Sequence, residues 1–209
     1  MASYLASYRP LALRHAGRLA VEQFGLPPFL DGSCRREPDF ESAFPSISAL
    51  CRGRLFAPRL QVGDTIIYLA VKAQYPGWKE RVRRLVAVLC VEEHFATHSD
   101  AADWYRARGL PLPSNCWVPN NPPIPYELTV QDRDLKTWDK GYRARARRWP
   151  TFLATRPLFL DLRTPPIVTD AMLIEAFGRV PGLQNPPRVG DTELATLLNL
   201  CAPLPLPAI

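Results

Sequence analysis

The chain has 209 residues, 47% of them hydrophobic and 22% charged. That suits one medium-sized domain with a real core, and no apolar run approaches the roughly 20 residues that span a bilayer. The formal net charge is +6 and the pI near 9.3; this permits a nucleic-acid partner without requiring one.

Arginine carries nearly all of the positive charge, the lysines being Lys72, Lys79, Lys136 and Lys140. Arginine suits bidentate recognition of phosphate and base edges, and it is also what a GC-rich genome writes wherever positive charge is tolerated. Five dispersed cysteines, Cys34, Cys51, Cys90, Cys116 and Cys201, lack a C-x-x-C pair and read as reduced core residues. His94 and His98 have a suggestive spacing, but no cysteine pair supports zinc, and neither metal nor cofactor is expected. The first residues lack a basic start followed by an apolar block, so a soluble, cytoplasmic protein is expected.

In chain order, "SYLASY" reads as a short strand. "LALRHAGRLAVEQF" is either a strand pair turning near Gly17 or a short helix. "GLPPFLDGSCRREPDFESAFP" follows, bounded by prolines and containing the Asp31-Gly32 turn signal; it reads as an ordered loop. "SISALC", Ser46 to Cys51, alternates like a strand. "VGDTIIYLAVK" is the clearest core element, with Gly63-Asp64 turning into a β-branched, apolar run. Its antiparallel partner is "RLVAVLCVEEHF", joined to it by a basic connection carrying Pro76-Gly77 and Trp78.

"THSDAADWYRARGLP" is a short helix. Ser99 is its expected N-cap, Asp100 and Asp103 fill the first turn, Arg106 and Arg108 the last, and Gly109 ends it. Trp104 and Tyr105 would pack it on the sheet. "LPLPSNCWVPNNPPIP" holds too many prolines for a helix or central strand and should be a stiff, extended strap carrying Asn115 and Trp117. Beyond Thr129 the chain becomes polar and arginine-rich, with Arg143, Arg145, Arg147 and Arg148. A proline-punctuated apolar stretch and two capped helical segments, "DAMLIEAF" and "DTELATLLNL", follow. The organisation expected is an α+β core, residues 1–128, with a mostly helical C-terminal extension, residues 129–209, packed on it.

No phosphate-binding glycine loop, G-x-S-x-G or H-E-x-x-H motif is present. Cys34 lies beside Arg35 and Arg36, whose charge would favour a thiolate. Binding is better supported. The 31–41 loop joins donors (Ser33, Arg35, Arg36) to acceptors (Asp31, Glu37, Asp39, with Glu41 beyond), the mix that reads a nucleobase edge beside an aromatic face. Trp78, Trp117 and Trp149 are candidate faces. The alternative is a salt-bridged loop in which these charges neutralise one another.

The order of these parts resembles the PUA-like β-barrel superfamily, which includes the EVE, YTH and ASCH domains. It looks closest to the nucleotide modification associated domains. The resemblance is carried by a basic segment before Gly63-Asp64-Thr65-Ile66-Ile67, an "LV-A-V" strand at Leu85 to Val91, and the aromatic helix after it. It covers about the first 130 residues. It implies a mixed, largely antiparallel barrel with short flanking helices. It also implies a pocket that binds nucleic acid around a modified or flipped base, in DNA modification, restriction or phage-defence systems.

On this reading the partner is DNA ahead of RNA. Arg35, Arg36, Arg143, Arg145, Arg147 and Arg148 would contact phosphates. Ser33, Asp39 and Asn115 would read the base, with Trp117 or Trp78 stacking on it. The loop from Asp31 through Arg35 and Glu37 to Asp39 would line the pocket mouth. Two alternatives remain. One is an enzyme acting on nucleotides or nucleic acid through the acids of this loop. The other is an interaction subunit that docks a protein partner through its proline-rich and charged segments.

Overall fold

The computed structural model describes residues 1–75, 78–131 and 134–201. A mixed seven-stranded sheet organises them, in the order β2-β5-β4-β3-β1-β7, with β6 paired to β4 off that path. The strands are β1 (Ser3–Tyr8), β2 (Ser46–Ser48), β3 (Thr65–Gln74), β4 (Arg81–Phe95), β5 (Phe152–Leu160), β6 (Ile167–Val168) and β7 (Arg188–Val189). The helices are α1 (His15–Phe24), α2 (His98–Ala107), α3 (Leu135–Arg148), α4 (Asp170–Phe177) and α5 (Asp191–Leu200). Only β1 and β3 pair in parallel; the other pairs are antiparallel.

The β3–β4 pair forms as the β-branched run predicts. Its apolar run is continuous because both faces of the sheet are covered. Ile66, Tyr68 and Ala70 point to one core, with Tyr8, Phe40 and Phe56. Ile67 and Leu69 point to the other, against Leu173 of α4 and Leu194, Leu197 and Leu198 of α5. The 9–64 crossover between the parallel strands β1 and β3 carries α1, the 31–41 loop and β2.

Several expectations are corrected here. Among the described residues the sheet is an open path and not a closed barrel. Strand β5 lies between β2 and β4, so this one sheet draws on residues on both sides of 128. Of the two readings of "LALRHAGRLAVEQF" the short helix holds and the strand pair does not: a helical turn leads into α1, and Gly17 sits inside the helix. A Cβ on Gly17 would lie 1.9 Å from the Leu11 carbonyl oxygen, so the close approach and not a turn explains it. The N-cap of α2 is Thr97 and not Ser99; its side chain accepts from the Asp100 amide. No helix of the described residues is long and apolar enough to cross a membrane.

Candidate functional site

The 31–41 loop is built into the protein. It is bridged to the strand layer at both ends, Pro10 pairing with Asp31 and Asp39 with Ser46. Asp31 makes the expected turn by accepting from the Ser33 backbone amide at 3.0 Å and from the Ser33 hydroxyl. Asp39 accepts from the Ser114 amide at 2.7 Å, the Ser114 hydroxyl at 2.6 Å and the Glu41 amide at 2.9 Å, tying the loop to the proline strap.

Arg35 and Arg36, expected to contact phosphates, are each only 1% exposed. Arg35 donates Nε–H to Asp139 of α3 at 2.7 Å and Nη1 to the carbonyls of Ser114 and Asn121, each at 2.9 Å. Arg36 donates to Glu41 at 2.5 Å and to the Asp31 carbonyl. Both guanidinium groups are internal struts. Cys34 does not gain a thiolate from them: burial outweighs the charge of Arg35 and pushes its thiol up to about 11. The salt-bridged alternative therefore describes Arg36 and Glu41, whereas Arg35 pairs outside the loop, with Asp139.

It does not describe Asp31 and Glu37. These two carboxyls line a cavity of about 220 Å³ between β1, β2 and β3. Ser7 and Tyr8 reach it from β1, Tyr68 from β3 and Ser48 from β2; Arg9, Cys51, Arg52 and Phe56 complete its wall. Glu37 accepts from the Ser48 amide at 2.8 Å, from the Ser48 hydroxyl, and from the Asn115 side-chain amide at 3.3 Å. Asn115 is wholly buried behind it and accepts from the Ser46 hydroxyl at 2.7 Å. Among the described residues neither Asp31 nor Glu37 has a cation at salt-bridge distance. Burial pushes Glu37 up to about 8, against the lowering effect of Ser48, and also raises Asp31. Burial raises Tyr8 and Tyr68 as well, so both phenols keep their protons.

A wider groove of about 510 Å³ adjoins this cavity, the two sharing Cys51 and Arg52. Arg54, Arg145, Trp149 and Gln184 line it further. Arg143, Arg145, Arg147 and Arg148 are exposed on α3, and none has a carboxylate partner among the described residues. Gly53 forms the groove floor at φ +52°, and a Cβ there would lie 3.1 Å from the Trp149 ring. Gly53→Ala is expected to cost about 1–2 kcal/mol of stability, read as a lower urea midpoint, because it combines left-handed strain with a shifted indole.

The remaining expected residues are dispersed. Ser33 holds the loop turn, and Asp39 borders a separate cavity of about 330 Å³ under the proline strap. Trp117 is held under Arg143, 5.0 Å from ring centroid to guanidinium, and its amide donates to His98. Trp78 is 43% exposed on the β3–β4 connection and does not line the cavity; Pro76 and Gly77 beside it lie outside the described residues. Tyr8, Tyr68, Ser48 and Arg52 were not expected from the sequence. Their signal was parity: the strand side facing the loop carries Tyr8 on β1 and Tyr68 on β3.

No family model matches the chain, and no curated protein matches it. Among solved structures the chain is similar to the crystal structure of a serine-to-alanine mutant of the ZmASCH protein from Zymomonas mobilis. The identity is 10%, 96% of each chain is covered and the TM-score is 0.41.

Proposed function

We propose that the chain is a nucleic-acid-binding module that takes one nucleobase into the Glu37 cavity while the arginines of the adjoining groove and of α3 hold the phosphate backbone. The carrying observation is this juxtaposition: a small cavity lined by acids and phenols opens beside a basic groove that presents an indole, and the two share Arg52. The cavity is smaller than the roughly 300–1,000 Å³ of drug-sized sites, which fits a single heterocycle better than a large cofactor. A base reaches such a cavity only when it is unstacked, so the substrate is single-stranded or carries a flipped nucleotide. DNA, a modified base and a place in DNA modification or defence rest on the sequence resemblance to PUA-like domains.

The test is fluorescence anisotropy with single-stranded DNA, duplex DNA and RNA across a salt series, with modified and plain cytosine and adenine probes side by side. If the four arginines of α3 each cover one phosphate, the duplex slope of log K against log salt should be about −3 to −4. The variant Arg143→Ala/Arg147→Ala/Arg148→Ala should flatten that slope by about 2 to 3. Absence of binding at low salt would overturn the proposal. A second reading, an enzyme acting on nucleotides, draws on Glu37 itself, whose pKa of about 8 suits a general acid. Turnover that disappears in Glu37→Gln while binding persists would favour it.

A further inference from the structure

The hydroxyls that line the Glu37 cavity belong to Ser7, Tyr8, Ser48 and Tyr68. The first three are committed within the protein. Ser7 donates to the Leu183 carbonyl at 3.5 Å, Tyr8 to the Phe29 carbonyl and Ser48 to Glu37. The carboxyls are occupied as well. Glu37 accepts through both oxygens, from the Ser48 amide and hydroxyl and from Asn115, which holds the loop to β2 and the strap. Asp31 accepts from the Ser33 amide and hydroxyl. The Arg52 guanidinium is directed to the carbonyls of Ser7 and Leu183. The hydroxyl of Tyr68 has no hydrogen-bond partner among the described residues, although the residue is only 3% exposed.

Strand parity points Tyr68 at the cavity, on the side of β3 that also carries Ile66 and Ala70. Its ring is clamped edge-on by two neighbours, Tyr8 at 6.0 Å and 80° and Phe40 at 5.7 Å and 84° between ring planes. The hydroxyl is therefore held in place before any ligand arrives. Polar groups buried this deeply are ordinarily paired, and what pairs with this one is decided by what occupies the cavity. The lining already holds many acceptors, so the O–H that Tyr68 adds acts as a donor. We propose that Tyr68 reads the base: its hydroxyl donates to a carbonyl oxygen or bare ring nitrogen, and the cavity favours a heterocycle with such an acceptor over a ring of the same shape without one. A site built around a buried donor rejects the ring that leaves it unpaired. This inference rests on the reading that the cavity takes a base.

The probes are single-stranded oligonucleotides with one ring in an otherwise abasic backbone, beside a fully abasic control. The ring is thymine, cytosine, adenine or guanine, or a non-polar shape mimic: difluorotoluene for a pyrimidine, methylindole for a purine. Anisotropy reads wild type and Tyr68→Phe, and urea unfolding reads both beside Tyr8→Phe. Wild type is expected to bind its preferred base about five- to tenfold more tightly than the matching mimic. Tyr68→Phe should bring that base down to the level of the mimic, leaving the mimic's affinity and the salt slope as in wild type. It should not lower the urea midpoint, because no protein group loses a partner. Tyr8→Phe should lower it, because the Phe29 carbonyl is stranded. Wild type binding a base and its mimic equally, both above the abasic control, would overturn the role of Tyr68 and leave base binding standing. So would a gap between base and mimic that survives Tyr68→Phe, or a midpoint that Tyr68→Phe lowers as much as Tyr8→Phe does. Affinity equal to the abasic control for every base would overturn both.

Discussion

Arg35→Ala is expected to lower the unfolding free energy by about 3–5 kcal/mol, the range for removing one partner of a buried ion pair. Arg35 joins three segments: its own loop, the proline strap through the Ser114 and Asn121 carbonyls, and α3 through Asp139. Alanine would leave two carbonyls unpaired and the Asp139 carboxylate, whose side chain is 24% exposed, without its cation. Arg36→Ala should cost less, because the Glu41 side chain is 43% exposed and can rehydrate. Arg35→Lys should recover less than half of the loss, since one ammonium cannot reproduce the planar fork across three acceptors. Urea unfolding reads these differences. Anisotropy on the folded fraction supplies the decisive control, where the salt slope should not change. A stable Arg35→Ala protein with a flatter salt slope would show that Arg35 contacts phosphate and is not a strut.

That contrast marks what the sequence could and could not say about the site. Residue types told of chemistry in the 31–41 loop, and Asp31 and Glu37 do line the cavity. Direction was not legible, because in an irregular loop no period relates sequence to side-chain orientation. Arg35 and Arg36 looked like exposed phosphate ligands, whereas Arg35 finds its partners about 80 to 100 residues away, at Ser114 and Asp139, and Arg36 finds Glu41 and the Asp31 carbonyl within its own loop. Tyr8 and Tyr68 escaped notice for the opposite reason, since an aromatic in an apolar strand reads as core. The fold shows the same division. The β3–β4 pair and the capped helices α2, α4 and α5 are local patterns and were legible. Strand β5 was not, because Arg156 and Pro157 interrupt its apolar run. The sheet tolerates that proline where Pro157 meets Leu89, at a register shift between Val88 and Leu89. Barrel closure depends on pairing between distant strands, and no local pattern encodes it.

Stability should be flat between about pH 4.5 and 6.5 and fall on both sides, with Glu37 and His98 setting the two limbs. Glu37 moves from 4.5 to about 8 on folding. Between those values the native state binds the additional proton, so this group makes stability fall as pH rises, by about 1.4 kcal/mol per pH unit. The loss levels off above pH 8. Asp31, also raised by burial, acts with the same sign. His98 is the counterpart. Burial first, and then Arg35, lower it from 6.5 to about 4. Below 6.5 the unfolded state binds the additional proton, so this group makes stability fall as pH drops toward 4. From 4.5 to 6.5 the two slopes oppose each other; above 6.5 only the carboxyl limb remains. Urea midpoints at half-unit steps from pH 4 to 9 would trace the curve. Glu37→Gln should remove most of the alkaline limb, a gain on the order of 5 kcal/mol at pH 9 relative to wild type if the amide matches the protonated acid, and extend the acid limb up to about pH 6.5. An alkaline limb unchanged in Glu37→Gln would mean that Glu37 is ionised in the native cavity, its hydrogen bonds from Ser48 and Asn115 outweighing burial.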